Sequence, residues 1–337
     1  MILVTGGTGF LGAYLLRYLV NAGQQVRAIK RTNSPMDLVN DIAHKVEWVE
    51  GDILDIFSIR DAMKGVTQVY HCAATVSFSQ KDRNRMMKVN VEGTTNIVNT
   101  CLEFGSPRLL NVSSIAALGR NPHITNIDEN TLWQDTPLNS NYAISKFKAE
   151  CEVWRGKVEG LNMVIINPSV ILGSGYWSVG TSTFFNSIYK GLKFFPQGRT
   201  GFVDVRDVAQ IMIQLMNSDI SGKRFIVNGH NIHYKTLLDE IAKSMNKKSP
   251  SIKVNPLLRE VAWRVEALRT SILGGKPMVT RETALVSSHS FIYDNARIKA
   301  ELGKDIFRPI KTTIAETAEQ YLASKSEGKD FSVLNLT

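Results

Sequence analysis

"MILVTGGTGFLGAYLLRYLVNAG", residues 1–23, passes from an apolar strand through a cluster of glycines into an amphipathic helix. Gly6, Gly9 and Gly12 stand in a G-x-x-G-x-x-G spacing. Gly6 permits the tight turn out of the strand, Gly9 lets the backbone approach a pyrophosphate, and Gly12 lets the helix pack closely on the sheet. The helix buries Leu15, Leu16, Leu19 and Val20 and stops at Asn21-Ala22-Gly23. Its first turn offers free N–H groups and a positive dipole end to phosphates. Strand, glycine turn and helix in that order predict a dinucleotide-binding unit.

The next strand, "QQVRAIKR" (24–31), bears on which dinucleotide. A carboxylate at its end would hold the ribose 2′-hydroxyl of NAD, yet the first acid in the chain is Asp37. Lys30 and Arg31 end the strand instead, followed by Thr32 and Ser34. Two cations there suit a 2′-phosphate, which a guanidinium grips bidentately. NADP(H) is therefore the expected cofactor, with NAD(H) possible.

Alternation continues: strand "VEWVEGDI", helix "DIFSIRDAMKG", strand "TQVYHCAA", helix "NVEGTTNIVNTCLEFG", strand "RLLNVSS". Such repetition predicts an α/β, Rossmann-type doubly wound parallel sheet with helices on both faces. Residues 1–172 and 203–228 are assigned to it. Residues 173–202 and 229–337 are assigned to a smaller, mostly C-terminal substrate-binding cap. Ligands sit beyond the carboxyl ends of such strands, where Asp52-Ile53, Ala73-Ala74 and Ser113-Ser114 gather.

A chain of 337 residues with 43% hydrophobic and 21% charged residues has the mix of an ordinary globular protein. Cys72, Cys101 and Cys151 show neither paired nor metal-like spacing, so free buried thiols in a reducing compartment, and no metal, are expected. No basic region precedes an apolar stretch at the start, and no apolar run nears the ~18 residues of a span. A cytoplasmic protein is the expectation. The net charge of +9 is dispersed, apart from a modest cluster at 242–253. That reads as a solvated face and not as a nucleic-acid site.

"NYAISKFKAE" (141–150) places Tyr142 and Lys146 four apart. Ile144, Phe147, Cys151 and Trp154 recur at helical spacing and predict the core stripe of that helix. Tyr142 and Lys146 then share the other face with Ala149 and Val153, whose apolar character implies a cover. A carbonyl reduction needs a proton for the developing alkoxide. Tyrosine begins near pKa ~10, and a nearby ammonium favours its phenolate. Ser114 is placed to add a hydrogen bond to the same oxygen.

"GGTGFLG", "GDI", "HCAA", "VNVEGT", "VSSIAALG", "YAISK", "NPSVILGSG" and "FVDVRDVA", in that order, resemble an extended short-chain dehydrogenase/reductase. The resemblance covers about residues 1–230 and more loosely "FIYDNARIKAELG". It implies a catalytic trio of Ser114, Tyr142 and Lys146, with Lys146 also holding the nicotinamide ribose. Asn90 matches a structural or proton-relay asparagine, for which a helix cap is the plainer reading. The glycine loop, with Thr8, Phe10 and Leu11, matches the cofactor cradle. Asp52 and Ile53 match adenine contacts, though Asp52 also reads as a turn residue. Ala73 and Ala74 match residues passing the ribose and phosphates, and Pro168 and Val170 those beside the nicotinamide amide.

Two branches of the family diverge in chemistry. Epimerases and dehydratases retain NAD, and usually carry Tyr-Gly-Pro where this chain has Leu172-Gly173-Ser174. "VRAIKR" and "FIYDNARIKAELG" are more similar to dihydroflavonol reductases and 3β-hydroxysteroid dehydrogenases. A non-catalytic dinucleotide-binding relative is a third reading, which the intact trio opposes. Thr75, Phe78, Tyr176, Trp177 and Phe184 are candidates to line the substrate pocket, and Asp207 is a candidate helix cap. "PLLREVAWRVEALRTSIL" (256–273) sets Leu257, Leu258, Val261, Val265 and Leu268 on one face, expected to pack onto the cap. A membrane-surface contact, which would go with a lipophilic substrate, is the second reading. The resemblance also implies a homodimer through the helices near Asn90 and Tyr142, with Cys101 and Trp154 as seam candidates.

Overall fold

The computed structural model describes residues 1–273 and 280–336; positions 274–279 and 337 of the expected cap lie outside the described residues. Seven strands form the main sheet: β1 Ile2–Thr5, β2 Val26–Lys30, β3 Glu47–Glu50, β4 Gln68–His71, β5 Arg108–Val112, β6 Met163–Pro168 and β7 Lys223–Val227. Their order is β3-β2-β1-β4-β5-β6-β7, and every neighbouring pair is parallel. Chain direction across the sheet reverses between β1 and β4, which opens a crevice at their carboxyl ends. This is the Rossmann-type fold expected from the alternation.

Both faces are covered, which is why the strands read as continuous apolar runs. Side chains of a strand alternate between faces. Ile2 and Val4 meet Tyr14, Leu15 and Leu19 of α1 (Phe10–Asn21) and Val208 and Met212 of a later helix, Val205–Met216. Leu3 meets the other layer, Ile59 of α2 (Ile56–Met63), Ile97 and Val98 of α3 (Gly93–Glu103) and Val153 of α4 (Asn141–Val158).

A second core, within the expected cap, gathers Trp177, Phe185, Phe202 and Tyr321. Helices α5 (Thr183–Tyr189), α7 (Tyr234–Ser244) and α11 (Ile310–Ser326) build it; α6 (Val205–Met216) and, contrary to the expected division, α10 (Ala296–Leu302) pack on the main core, and α8 (Pro256–Leu273) and α9 (Arg281–Val286) lie between α7 and α10 in the chain. The strands Val170–Leu172, Arg199–Asp204 and His230–His233 form a second, small sheet that runs across the expected division at residues 172/173 and 202/203. The chain end straps back onto α1: the Leu334 N–H donates to the Tyr14 hydroxyl (2.8 Å) and the Tyr18 hydroxyl to the Leu336 carbonyl (2.9 Å).

Four expectations are corrected here. The stripe of Ile144, Phe147, Cys151 and Trp154 is not the core face of α4. Ala143, Lys146, Ala149, Glu150 and Val153 are buried, while Cys151 is exposed and the other three are half-buried. The cause is crowding on two sides, because α4 packs against both α3 and the turn Ile115–Leu118. Cys101 is fully buried in the sheet-facing layer and does not face a seam. Asp204, not Asp207, caps α6 by accepting from the Arg206 N–H. Asp207 lies within the first turn and pairs with Arg308 (2.5 Å). On α8, Leu257, Val261, Val265 and Leu268 are exposed and do not pack onto the cap; Leu258 is half-buried. No described helix is long and apolar enough to cross a membrane.

Candidate active site

The site begins at the turn after β1. Gly6 takes φ +71°, and a Cβ there would stand 2.7 Å from the Ala73 nitrogen. At Gly12 a Cβ would stand 2.2 Å from the Gly6 carbonyl oxygen. Larger residues would therefore push the loop off β4 and α1 off β1. The N-terminus of α1 has no side-chain cap and no acid in its first turn, leaving its N–H groups to an anionic ligand. Thr8 and Phe10 are half-buried, Gly9 is exposed and Leu11 is buried beneath the loop. The glycine cradle and uncapped helix fit the diphosphate of a dinucleotide.

Around this cradle the other expected residues take up different tasks. Ala73 is half-buried and Ala74 exposed. The Thr5 hydroxyl accepts from the Ala73 N–H (3.2 Å) and meets His71 Nδ1 (2.7 Å). Burial pushes the His71 pKa down to about 3, so this link is neutral. Asp52 accepts from the Leu54 N–H (3.0 Å), a turn contact, and Ile53 packs inward on Gly93. Lys30 is half-buried and Arg31 exposed, neither engaged by an acid among the described residues. Pro168, the last residue of β6, is buried, and Val170, which opens the strand Val170–Leu172, is half-buried.

The trio converges beyond β5. Ser114 caps the turn Ile115–Leu118, its Oγ accepting from the Ala116 N–H (3.1 Å). Tyr142 is in the first turn of α4, which Ser140 caps. Burial raises the Tyr142 pKa, while a hydrogen bond with Ser114 and the charge of Arg120 pull it back. Lys146 is 5% exposed and donates from Nζ to the Val112 carbonyl (2.8 Å), a carbonyl at the end of its strand. In this arrangement the Lys146 ammonium is held by the Val112 carbonyl, and the charge that draws the Tyr142 pKa down is that of Arg120. Burial pushes the Lys146 pKa down to about 8, opposed by Glu150 and Cys72.

Asn90 sits in a wide π-type turn, Lys88–Glu92, leading into α3, a distortion often found at functional sites. It does not cap the helix. Its Oδ1 accepts from the Thr75 N–H (2.7 Å), and its Nδ2 donates to the Thr75 carbonyl (3.0 Å) and Ser145 Oγ (2.9 Å). Asn90 therefore fixes the loop after β4 to α4. Phe78 on that loop meets the Tyr142 ring edge-on at 5.8 Å. Tyr176 is spent elsewhere: its hydroxyl donates to Asp37 (2.8 Å) and its ring packs near Phe331. Trp177 is cap core, and Phe184 packs with Tyr234.

Two residues escaped the sequence reading. Glu150, 2% exposed, accepts from Ser113 Oγ (2.6 Å), Asn167 Nδ2 (2.8 Å) and Arg224 (3.0 Å). Its signal was present: an acid four residues beyond Lys146 on the same helical face. Arg120 lies six residues beyond Ser114, in a loop whose folding no local pattern dictates.

A parallel sheet with a glycine cradle at its switch point and a Ser-Tyr-Lys cluster alongside defines a dinucleotide-dependent enzyme. Residues 2–228 match the NAD dependent epimerase/dehydratase family, and the chain belongs to it. It is an NAD(P)-dependent enzyme of the extended short-chain dehydrogenase/reductase type. Sterol demethylase protein B of Methylococcus capsulatus is 33% identical over 264 residues, 77% of this chain and 78% of that protein. A Synechocystis protein bearing the name dihydroflavonol 4-reductase is 32% identical over 310 residues, 89% and 88% of the two chains. The crystal structure of gox2253 superimposes with a TM-score of 0.81 at 28% identity, covering 98% of this chain and 99% of that one.

Proposed function

We propose that the protein is an NADP(H)-dependent oxidoreductase interconverting a ketone or aldehyde and its alcohol. The observation that carries this reading is that Ser114, at the turn beyond β5, and the half-buried Tyr142, in the first turn of α4 one turn before Lys146, stand together at the carboxyl end of the sheet. The Gly6–Gly12 loop and the start of α1 would hold the dinucleotide, which supplies or accepts the hydride. Tyr142 Oη gives its proton to the carbonyl oxygen in reduction and takes it back in oxidation. Ser114 Oγ donates to that same oxygen and orients it. Lys146, held in this structure by the Val112 carbonyl, would turn its ammonium toward the ribose hydroxyls of the bound cofactor. Asn90 positions the loop that carries Thr75 and Phe78.

The unpaired Lys30 and Arg31 support a 2′-phosphate. Leu172-Gly173-Ser174 and the likeness to a protein named for dihydroflavonol 4-reductase support a free carbonyl substrate over a nucleotide sugar. The exposed or half-buried stripe Ile144, Phe147, Cys151 and Trp154 on α4 supports a homodimer through α3 and α4. Three unpaired cysteines fit a reducing cytoplasm.

The purified protein is to be denatured and any released dinucleotide identified by mass and stoichiometry. The expected result is an empty protein that then binds NADPH at least tenfold tighter than NADH. Stoichiometric NAD would overturn the reading in favour of an epimerase or dehydratase that returns hydride to its own substrate.

A further inference from the structure

Beyond Ser114 the chain turns through Ile115–Leu118, and Gly119, at φ +77°, delivers Arg120 beside the catalytic helix. The Arg120 N–H donates to Asn139 Oδ1 (2.9 Å), and its carbonyl accepts from the Thr136 hydroxyl. Asn139 stands just three residues before Tyr142, so this backbone is fixed at the mouth of the site. The guanidinium lies over the Phe291 ring, 5.9 Å from its centroid. Its Nε is buried without a hydrogen-bond partner, and no acid among the described residues pairs with it.

The surroundings are polar in a directed way. The Arg120 charge acts on the hydroxyls of both Tyr142 and Tyr234. Tyr293 is 1% exposed, and its hydroxyl also lacks a partner. Tyr293 lies close enough to Tyr234 to act on its hydroxyl. Buried donors left unmade are expensive, and a partly desolvated cation without a counter-charge more so. A bound ligand that brings acceptor oxygens would relieve all of them together.

We propose that Arg120, with the hydroxyls of Tyr234 and Tyr293, is a carboxylate subsite beside Tyr142, so that the substrate is an oxo acid and its product a hydroxy acid. This rests on the carbonyl-reductase reading above. The carboxylate takes a charge-assisted hydrogen bond from the guanidinium while the reacting oxygen lies on Tyr142 and Ser114. One cation matches a single negative charge; a phosphate dianion would leave charge uncompensated. Phe78, exposed beside Tyr142, supplies an apolar wall for the rest of the molecule.

The test uses the holoenzyme with NADPH and a series of oxo acids differing in the number of carbons between carbonyl and carboxylate, each beside its methyl ester. For wild type, kcat/KM is expected to favour at least one acid over its ester by tenfold or more. Arg120→Met should collapse that ratio, chiefly through KM for the acid, and Arg120→Lys should restore part of it. The ratio is the readout, so a general loss through the Tyr142 proton cancels. Esters preferred by wild type, or a ratio that Arg120→Met leaves unchanged, would overturn the subsite. Should nothing turn over, calorimetric titration of the same acids into the NADPH complex separates the two readings. Arg120-dependent binding would then keep the subsite and sink the reductase assignment, whereas no binding would sink the subsite.

Discussion

At the scale of single residues, the phenol of Tyr142 carries the proposed proton transfer, and its environment sets the pH behaviour. Burial raises its pKa above the ordinary tyrosine value, with Ser114 and Arg120 moderating the rise. The protonated form, which reduction needs, therefore prevails through neutral pH, and the reduction rate should stay level there and fall only in alkali. Oxidation needs the phenolate, so its rate should climb with pH across the same range. Tyr142→Phe removes the proton and is expected to lower kcat by about 10²–10⁴-fold while NADPH affinity is kept, as stopped-flow and equilibrium titration would measure. Normal turnover by this variant would show that another group moves the proton. The Tyr142 and Lys146 spacing was legible in the sequence because a helix makes i and i+4 neighbours. The direction of the Lys146 ammonium was not, because the Val112 carbonyl that receives it lies 34 residues away in the chain.

At the scale of elements, α4 shows how a periodic pattern can be read in the wrong direction. Large apolar residues at helical spacing pointed to one face, yet the buried one holds Ala149, Glu150, Val153 and Gly156. Small residues win because α4 lies close to its neighbours: a Cβ at Gly156 would come within 2.7 Å of Val98 Cγ1. Strands β1 to β5, by contrast, were legible, since β-runs buried on both faces leave little ambiguity where strand and helix alternate; β6 and β7, beyond that run of alternation, were not. The assignment of faces makes a prediction with two parts. Val153→Ala, emptying a fully buried site between α3 and the sheet, should cost ~1–3 kcal/mol in chemical denaturation. Cys151→Arg, on the exposed face, should leave the monomer fold intact and, under the proposed homodimer, return light-scattering mass to the 37.6 kDa of one chain. The reverse pattern, a stable Val153→Ala and an unfolded Cys151→Arg, would put the core back on the large stripe.

For the whole molecule, the question is whether the dinucleotide-binding sheet and the cap form one cooperative unit. Composition and motifs separated the two in the sequence but gave no sign of what joins them, because the joining groups come from distant parts of the chain. Asp204 and Arg206, at the start of α6, are both almost fully buried and meet at 2.6 Å. The same guanidinium reaches Glu316 of α11 (2.6 Å) and the Asn335 carbonyl (3.2 Å), and Asp204 accepts from the Thr313 hydroxyl (2.8 Å). Thus one ion pair ties the nucleotide side to the cap helix and to the terminal strap. Burial alone would lower the Arg206 pKa, but the bonds and charges of Asp204 and Glu316 outweigh it and hold the guanidinium charged. Removing one partner leaves the other charge buried and uncompensated, which costs ~3–5 kcal/mol. Arg206→Met should therefore lower the melting temperature by on the order of 5–10 °C. Glu316→Gln, at a side chain 40% exposed, should shift it far less, since a screened pair contributes under ~1 kcal/mol. Differential scanning calorimetry of the wild type should give a single transition in which sheet and cap melt together, and Arg206→Met should move that transition down without splitting it. Two resolved transitions in the wild type would mean that the cap folds on its own and that the Asp204–Arg206 pair serves only the start of α6.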